Sequence, residues 1–368
     1  MRMRDCEIRP FENCIRKVKY TNKIASQDFK PSGRFPIVSQ EEAFISGYWD
    51  NPEDVFHIDG PVVIFGDHSR HIKYVDFDFV IGADGVKILA PVEDIVTKYL
   101  YYYLKSQPIQ SLGYSRHYKV LKEKYVPVPS LSEQQRIVGE LDLLSRVIEL
   151  KNAQLRTLED LSSAIFHEMF GDILSNEKMW ETSTIGNEFK IYSGGTPDTK
   201  QPAYWENGNI SWIGSNLCQN LVLYHNDGKF ITEEGLSHSS AKVFSENFVL
   251  VALVGATIGK SALLRFKTTT NQNVAGIDVP SNEHYTSEFV YMMMRSLYPL
   301  FMNVSNGKFK MANLSFVRSL PIIKPPLSLQ ENFSERFSAI QRQKSNVEKS
   351  IVVAENLLAS RMDKYFNE

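Results

Sequence analysis

The stretch Pro129-Ser130-Leu131-Ser132-Glu133-Gln134-Gln135 decides how this chain is organised, because it returns as Pro325-Pro326-Leu327-Ser328-Leu329-Gln330-Glu331. The second copy lies 196 positions after the first, and the register then continues without a gap to the C-terminus. Self-similarity at a fixed spacing indicates a repeated structural unit. The repeat therefore predicts two tandem halves, residues 1–172 and 173–368.

Both copies of the repeat predict a long helix. Ser132 with Gln135, and Ser328 with Glu331, have the spacing of a capping box, in which side chains satisfy free N–H groups of the first turn. At about 1.5 Å per residue, each helix would be on the order of 55 Å long.

One row of mostly apolar residues follows each predicted helix at heptad spacing. In the first helix the row comprises Ile137, Leu141, Leu144, Ile148, Lys151, Leu155, Leu158, Ser162, Ile165 and Met169. In the second helix it comprises Phe333, Phe337, Ile340, Lys344, Val347, Ile351, Ala354, Leu358, Arg361 and Tyr365. Neither helix can bury such a row alone, so we predict that the two pair as a coiled coil. The alternative is that each packs on a separate globular core.

Composition places the chain among globular proteins. It has 368 residues, enough for two or more domains. No run of eighteen apolar residues and no signal peptide are present, which predicts a cytoplasmic protein without a membrane segment. Cys6, Cys14 and Cys218 are too scattered for a disulfide framework or a zinc cluster. The net charge is −2, so a DNA-binding protein of this composition must concentrate its positive charge locally.

Residues 1–130 combine strand-like runs with one helical segment. The predicted strands cover residues 35–39, 61–65, 77–81 and 86–89. Residues 97–106 predict a tyrosine-rich helix that packs on the sheet. The most basic segment follows, Tyr114-Ser115-Arg116-His117-Tyr118-Lys119. Basic and aromatic residues on a loop can pair with phosphates and reach base edges, and the alternative is a solvated surface loop.

Residues 173–325 repeat this pattern with different side chains. Strands are predicted at residues 248–254 and 261–266, and a helix at 289–297. Residues 305–310 occupy the place of the basic loop. The sequence therefore predicts one scaffold that presents two different surfaces.

Three motifs resemble catalytic or ligand sites but fail their requirements. Gly255-Ala256-Thr257-Ile258-Gly259-Lys260-Ser261 has three residues between its glycines where a P-loop needs four, and a strand follows it, so we predict a hairpin turn. Asp198 and Asp227 fit only the loose spacing of a metal-dependent nuclease. His68 and His71 lack further metal ligands at a recognisable spacing. We predict no catalytic, cofactor-binding or metal-binding residue in this chain.

Several motifs together resemble one protein family. Ser193-Gly194-Gly195-Thr196-Pro197, followed by Tyr204-Trp205 and Trp212-Ile213, is similar to the opening of many target-recognition domains in that family. Thr270-Asn271-Gln272 and the run Val126-Pro127-Val128-Pro129 that enters the repeat match its pattern. With the duplicated arrangement, the whole chain resembles the specificity subunit of a type I restriction–modification enzyme.

The chain departs from the family pattern in two places. Leu329 stands where the first copy has Glu133, so the second helix begins less typically. The first half lacks the Gly-Gly-Thr-Pro opening and carries Phe65-Gly66-Asp67-His68-Ser69-Arg70 and Gly82-Ala83-Asp84-Gly85-Val86 instead.

The resemblance implies an α+β fold with two tandem globular target-recognition domains and two long spacer helices. The domains would cover residues 1–130 and 173–325, and the helices 131–172 and 326–368. The helices would form an antiparallel coiled coil that separates the domains, with pseudo-twofold symmetry. A rod of ~55 Å matches roughly 16 base pairs at about 3.4 Å per step. Two different surfaces would then read an asymmetric split site.

By the same resemblance, the chain would be a non-catalytic subunit that binds double-stranded DNA and two methyltransferase subunits. Those subunits would supply S-adenosylmethionine and methylate adenine, and motor and nuclease subunits would add ATP- and Mg-dependent cleavage. The regions around Leu131 and Leu327 are candidates for docking the methyltransferases.

We expect DNA contacts from residues that suit bases or phosphates. Asn and Gln suit adenine and Arg suits guanine in the major groove, whereas Lys mostly meets phosphate. In the first domain the candidates are Arg70, Arg116, His117, Tyr118 and Lys119. In the second domain they are Thr196, Lys260, Asn271, Gln272, Lys308 and Lys310.

Two other classes of protein stay open on the sequence. A structural coiled-coil adaptor would show no salt-dependent binding to DNA. A metal-dependent nuclease would need Asp198 and Asp227 to hold a divalent cation, and Asp227→Ala would abolish its cleavage.

Overall fold

The computed structural model describes residues 6–111, 113, 115–280, 284–303 and 311–367. The chain divides into two compact units. Unit 1 comprises Met1–Ala153 and Val347–Glu368, and unit 2 comprises Gln154–Asn346.

Within the described residues, unit 1 contains three antiparallel or mixed sheets. Its strands are β1 (Glu7–Pro10), β2 (Ile15–Arg16), β3 (Lys23–Ile24), β4 (Phe35–Val38), β5 (Gly47–Trp49), β6 (Val55–Phe56), β7 (Val62–Gly66), β8 (Ile72–Val75), β9 (Phe79–Gly82), β10 (Val86–Pro91) and β11 (Tyr125–Val128). Their orders are β1-β11, β2-β10-β7-β8 and β3-β9-β4-β5, with β6 also paired to β9. The four strands predicted in this half are confirmed as β4, β7, β9 and β10.

The tyrosine-rich helix α1 (Thr97–Ser106) packs on this framework as predicted. Its buried ring hydroxyls reach the strand that leads into the repeat: Tyr99 donates to the carbonyl of Pro127 at 2.8 Å, and Tyr103 to that of Tyr125 at 2.9 Å. The short helix α2 (Tyr118–Lys122) lies between α1 and β11 in the chain. The prediction of a loop is therefore wrong for Tyr118 and Lys119, which begin a helix.

Unit 2 also contains three sheets. Its strands are β12 (Thr182–Thr184), β13 (Lys190–Ser193), β14 (Ile210–Ile213), β15 (Leu221–Leu223), β16 (Phe230–Ile231), β17 (Val249–Ala252), β18 (Ser261–Leu264), β19 (Thr269–Thr270), β20 (Val274–Asp278) and β21 (Pro321–Ile323). Their orders are β12-β21, β13-β20-β17-β18-β15 and β16-β14-β19. Because β17 pairs antiparallel with β18, the predicted hairpin at the glycine-lysine motif is confirmed.

The shorter helices of unit 2 lie between these strands in the chain. They are α4 (Ile185–Glu188), α5 (Glu233–Ser237), α6 (Ser287–Ser296), α7 (Tyr298–Asn303) and α8 (Leu314–Ser319). Helix α6 confirms the helix predicted at residues 289–297, and it packs on β17 and β18. Its place in unit 2 corresponds to that of α1 in unit 1.

The two predicted long helices are confirmed. Helix α3 (Leu131–Phe170) and helix α9 (Leu327–Phe366) each have 40 residues, and both their starts and their ends lie 196 positions apart. The capping boxes are wrong, because both helices begin one residue before the predicted caps. In α3, Ser130 provides the cap by accepting from the N–H of Glu133 at 3.4 Å.

The long helices run antiparallel to each other within unit 1. The Glu140 carboxylate of α3 accepts from Arg361 of α9 at 2.9 Å, and Arg136 donates to the hydroxyl of Tyr365 at 3.4 Å. Residue numbers therefore rise along α3 as they fall along α9. Ile137 and Leu141 of the predicted apolar row are buried in the core of this unit.

The same antiparallel arrangement holds within unit 2. Glu159 of α3 forms an ion pair with Lys344 of α9 at 2.6 Å, and the ring centroids of Phe166 and Phe333 lie 5.4 Å apart. The coiled-coil prediction is confirmed in each unit. The polar residues Lys344 and Arg361 in the predicted row are paired with carboxylates of the other helix.

The last aromatic residue of each long helix is buried in a globular core. Phe366 packs against Tyr99 and Tyr103 of α1, with ring centroids 5.3 and 5.9 Å away. Phe170, 196 positions earlier, packs against Phe289 of α6 at 4.8 Å. Each unit therefore contains the start of one long helix and the end of the other, so the long helices pair with each other and do not pack on separate cores.

A buried glutamine fixes the start of each long helix. Gln134 and Gln330 are both 0% exposed and occupy equivalent positions of the repeat. The Gln134 amide donates to the carbonyls of Asp94 and Pro129 and accepts from the N–H of Val96.

Gln330 repeats this pattern with its own neighbours. Its amide donates to the carbonyls of His284 and Pro325 and accepts from the N–H of Thr286. Val96 and Thr286 are the residues immediately before α1 and α6. Each glutamine therefore ties the start of a long helix to the start of the helix that packs on the sheet.

We expect Gln134→Ala to lower the free energy of unfolding by at least about 2 kcal/mol. The change removes the shared partner of three part-buried backbone groups, and leaving a buried group unsatisfied costs about 1–3 kcal/mol. Urea denaturation measures the effect. Gln135→Ala is the matched control, because Gln135 is exposed at the next position, and equal midpoints for the two variants would contradict the prediction.

The ion pairs of Glu159 predict a pH dependence of stability. Burial acts to raise the pKa of Glu159, but the hydrogen bond from Lys344 and the charge of Arg295 outweigh it, so the pKa lies below the ordinary 4.5. A carboxyl group whose pKa is lowered in the folded state stabilises the fold at pH values above its ordinary pKa. This contribution is lost as the pH falls through the pKa of the folded state.

Lys344→Met should therefore destabilise the protein most at neutral pH, and the difference from the wild type should shrink as Glu159 becomes protonated. Urea denaturation between about pH 7 and about pH 3 tests this, with Lys349→Met on the exposed face of α9 as the control. A difference that stays constant across the series would show that Lys344 acts without Glu159.

Candidate nucleic-acid interface

Asp67 organises the basic segment of unit 1. It follows β7 directly and is 2% exposed. Its Oδ1 accepts from the backbone N–H of Tyr118 at 2.7 Å, and its backbone carbonyl accepts from the N–H of His117 at 2.8 Å. A carboxylate at this position satisfies a free N–H of the first turn of α2. Its negative charge also interacts favourably with the positive N-terminal end of the helix dipole.

The candidate residues of the basic segment differ in exposure. Arg116 and Lys119 are exposed, whereas His117 is 1% exposed, and its Nδ1 lies 2.9 Å from the carbonyl of Asp67. The His117 side chain therefore supports the segment from inside. Tyr118 is half-buried.

Two lysines lie over the ring of Tyr118. The Nζ atoms of Lys87 and Lys122 are 5.4 and 5.7 Å from its centroid, a distance at which the cation is attracted to the ring. Lys87 also lies 3.8 Å from Oδ2 of Asp67. Burial raises the pKa of Tyr118 to about 12, so its hydroxyl stays protonated at neutral pH.

Arg70 belongs to the same part of unit 1. It stands in the turn between β7 and β8 with a φ of 66°, and its N–H donates to the carbonyl of Gly66 at 2.7 Å. Its guanidinium donates to the carbonyl of Ile109 at 3.0 Å. Asp67 thus connects the turn that carries Arg70 with the segment that carries Arg116 and Lys119.

In unit 2, two glycines let the chain approach β19 closely. A Cβ on Gly194 would lie 2.0 Å from Oγ1 of Thr270, and one on Gly195 would lie 2.4 Å from the backbone N of Ala241. The N–H of Gly195 donates to the carbonyl of Thr270 at 2.8 Å. The glycine pair is required by this close packing, which also brings Thr196 beside the residues that follow β19.

Thr196 and Gln272 meet at this edge of unit 2. The Thr196 hydroxyl donates to Oε1 of Gln272 at 2.6 Å, and Gln272 is exposed. Asn271 is used differently, because its Oδ1 accepts from the N–H of Asn273 at 3.1 Å and so stabilises the turn itself. The structure brings three of the predicted residues together here.

Lys260 lies at the end of the β17–β18 hairpin. Its Nζ donates to Oε1 of Gln219 at 2.8 Å, and the amide nitrogen of Gln219 donates to the carbonyl of Asn216 at 3.1 Å. The loop before β15 and the β17–β18 hairpin are therefore held together at Lys260. Lys308 and Lys310 lie outside the described residues.

Sequence reasoning missed Asp67, Lys87 and Gln219. The position of Asp67 gave one indication of its role. A carboxylate that directly follows an apolar strand can accept a hydrogen bond from the backbone N–H of a neighbouring segment. The positions of Lys87 and Gln219 gave no such indication, since their partners are 20 or more positions away.

The described residues contain no group of three or more His, Cys, Asp or Glu side chains placed to hold a metal ion, and Asp198 and Asp227 belong to no such group. None of the helices in the described part of the chain is long and apolar enough to span a membrane.

A sequence model of the family described as "Type I restriction modification DNA specificity domain" matches residues 15–160 and 177–354. The chain belongs to this family. The two matches correspond to the two halves of the repeat, and the resemblance noted in the motifs is confirmed. As a specificity subunit, the chain serves DNA recognition in a restriction–modification complex and is not itself a catalytic subunit.

Two curated relatives support the assignment. The specificity subunit of the type I restriction enzyme EcoR124I/EcoR124II from Escherichia coli is 28% identical over 290 residues, with 74% of this chain and 70% of the relative covered. The MjaIX specificity subunit of Methanocaldococcus jannaschii is 25% identical over 303 residues, with 74% and 69% covered.

Solved structures share the fold. The S subunit of a type I restriction–modification system from M. genitalium has a TM-score of 0.59 at 15% identity, covering 99% of this chain and 97% of that one. A chain from a study of complex assembly and conformational transition of the type I R-M system has a TM-score of 0.54 at 18% identity, covering 97% and 96%. The α+β fold of two tandem domains with long helices is therefore confirmed.

Asp67→Ala should release the basic segment of this specificity subunit. Loss of a helix cap costs about 1 kcal/mol, so we expect amide hydrogen exchange in residues 118–122 to accelerate about fivefold. Asp84→Ala removes the same charge from an exposed position and is the control. Equal protection of these amides in all three proteins would rule out the role given to Asp67.

Proposed function

We propose that each unit of this specificity subunit reads one half of an asymmetric, split DNA site. The proposal rests on one observation: the two units share the same arrangement of helices and buried glutamines but expose different side chains. Unit 1 displays a basic segment anchored on Asp67, whereas unit 2 displays amide and hydroxyl groups anchored on Gly194 and Gly195. DNA-contacting surfaces with different side chains select different bases, so the two half-sites should differ.

In unit 1 we assign the DNA contacts to a basic surface. Arg116, Lys119 and Arg70 would meet phosphates or guanine, because Arg matches the O6 and N7 acceptors of guanine and Lys pairs mainly with phosphate. Tyr118 and the buried His117 would hold this surface in place. Its positive charge is local, in a chain whose net charge is −2.

In unit 2 we assign the contacts to the edge that carries Thr196, Asn271 and Gln272, together with Lys260. Amide side chains suit adenine in the major groove, and Lys260 suits a phosphate. Lys308 and Lys310 are proposed to extend this surface on the grounds of sequence alone.

We further propose the partners and the domain limits of the complex. Residues 1–130 and 173–325 would be the target-recognition domains, and residues 131–172 and 326–368 the spacer helices. Two methyltransferase subunits would carry S-adenosylmethionine, and motor and nuclease subunits would use ATP and Mg, all in the cytoplasm. The exposed apolar residues Leu131, Leu143 and Leu150 of α3 support a docking role for its outer face.

Methylome sequencing tests the proposal in cells that express this chain together with the methyltransferase subunit encoded by the adjacent gene. We expect N6-methyladenine at a split, asymmetric motif that appears only when this chain is present. Exchange of residues 1–130 for those of another specificity subunit should change one half-site and leave the other as it was.

A methylation motif that is unchanged when the chain is removed would contradict the proposal and favour a structural adaptor. A motif in which both halves change after the exchange would contradict the assignment of one half-site to each unit. An exchange for residues 1–130 of a subunit with the same half-site is the control, and it should leave the whole motif unchanged.

A further inference from the structure

Gln272 is the exposed amide at the edge of unit 2, and its orientation is set by a neighbour. Its Oε1 accepts from the Thr196 hydroxyl at 2.6 Å, across 76 positions of sequence. Building on the proposed function, we propose that Thr196 is a positioning residue that orients the Gln272 amide, and that Gln272 selects adenine at one position of the second half-site.

The backbone beneath Gln272 is held on both sides. On one side, the N–H of Asn271 donates to the carbonyl of Ile213 at 3.1 Å. On the other side, the N–H of Leu253 donates to the carbonyl of Asn273 at 2.8 Å. The hydroxyl of Ser193 donates to the carbonyl of Gln272 itself at 3.3 Å. The remaining freedom of Gln272 is therefore in its side chain.

Thr196 is held on the opposite side of the same contact. Gly194 and Gly195 precede it, and both pack too closely for a Cβ. The N–H of Gly194 donates to the carbonyl of Val274 at 3.2 Å, and that of Gly195 to Thr270 at 2.8 Å. Two anchored backbones thus place the hydroxyl and the amide within hydrogen-bond distance.

Asn271 and Gln272 are adjacent amides with different roles. Asn271 uses its Oδ1 within the turn, as the acceptor for Asn273. Among the described residues, the amide nitrogen of Gln272 donates to no protein acceptor. The amide nitrogen of Asn271 likewise donates to no acceptor among these residues, but Asn271 is half-buried whereas Gln272 is exposed, so Gln272 is the amide of this pair that a partner can reach.

With Thr196 donating to Oε1, as observed, Gln272 presents Nε2 and the second lone pair of Oε1 to a partner. A carbonyl oxygen has two lone pairs, so Oε1 can accept from Thr196 and still accept from the N6 amino group of adenine. Nε2 can then donate to N7, which completes the bidentate contact between Gln and adenine. Without the Thr196 hydroxyl, rotation of the amide by a half turn would exchange donor and acceptor and remove the preference.

Binding of duplex variants to the complex of this chain with its methyltransferase subunits tests the inference. Each position of the second half-site is replaced in turn by the other three bases. The wild-type complex should discriminate against replacement of one adenine by about tenfold or more, as a bidentate base contact does. Thr196→Val keeps the shape but removes the donor, and it should reduce that discrimination at least about threefold.

Three further variants separate positioning from simple structural support. Thr196→Ser keeps the hydroxyl and should preserve the wild-type preference. Gln272→Glu replaces the outward donor by an acceptor, and it should change the preferred base at that position from adenine to cytosine, whose N4 donates. Thr199→Val, at an exposed threonine three positions along the chain, should leave every preference unchanged.

A Gln272→Glu complex that keeps the adenine preference, or that loses affinity equally for all duplexes, would overturn the inference. In either case, selective binding of the split site by the wild type would still support the proposed function. A wild-type complex without any base preference in the second half-site would overturn both. Thermal unfolding of each variant confirms that a loss of affinity is not a loss of fold.

Discussion

The buried amide at the start of each long helix is the interaction on which the rest of the structure depends. The side chains of Gln134 and Gln330 are fully buried, and each satisfies three backbone groups of neighbouring segments. In doing so, each fixes the first turn of a long helix against the segment that begins α1 or α6. A buried polar network of this kind is stabilising only when every member has its partner, so it tolerates little change.

Around these two glutamines, the two units have the same arrangement of helices but expose different surfaces. Tyrosine hydroxyls of α1 bind the strand before α3, and the terminal phenylalanines Phe366 and Phe170 close the cores on α1 and α6. The proposed recognition edges lie on connections between strands. Such connections can change without disturbing the packed frame, which allows one fold to read different DNA sequences.

Much of the frame could be predicted, since the repeat and the heptad rows specify both long helices. The errors were local. Ser132 and Ser328 offered good capping boxes, but the helices begin earlier, where Ser130 caps α3 and the glutamines become buried. The sequence predicts a loop at Tyr118 and Lys119, because the carboxylate that accepts from the first turn of α2 belongs to Asp67, 51 positions earlier.

The duplication, the two α+β halves, the long helices and the family follow from the sequence, because the repeat at 196 positions and the heptad rows are patterns in the order of the residues. Which candidate residues face outward depends on the folded chain. The burial of His117 against Asp67 and the contact between Thr196 and Gln272 both depend on partners distant in the chain. Hydrogen bonds between distant segments leave no period in a sequence, so they become visible only once the chain is folded.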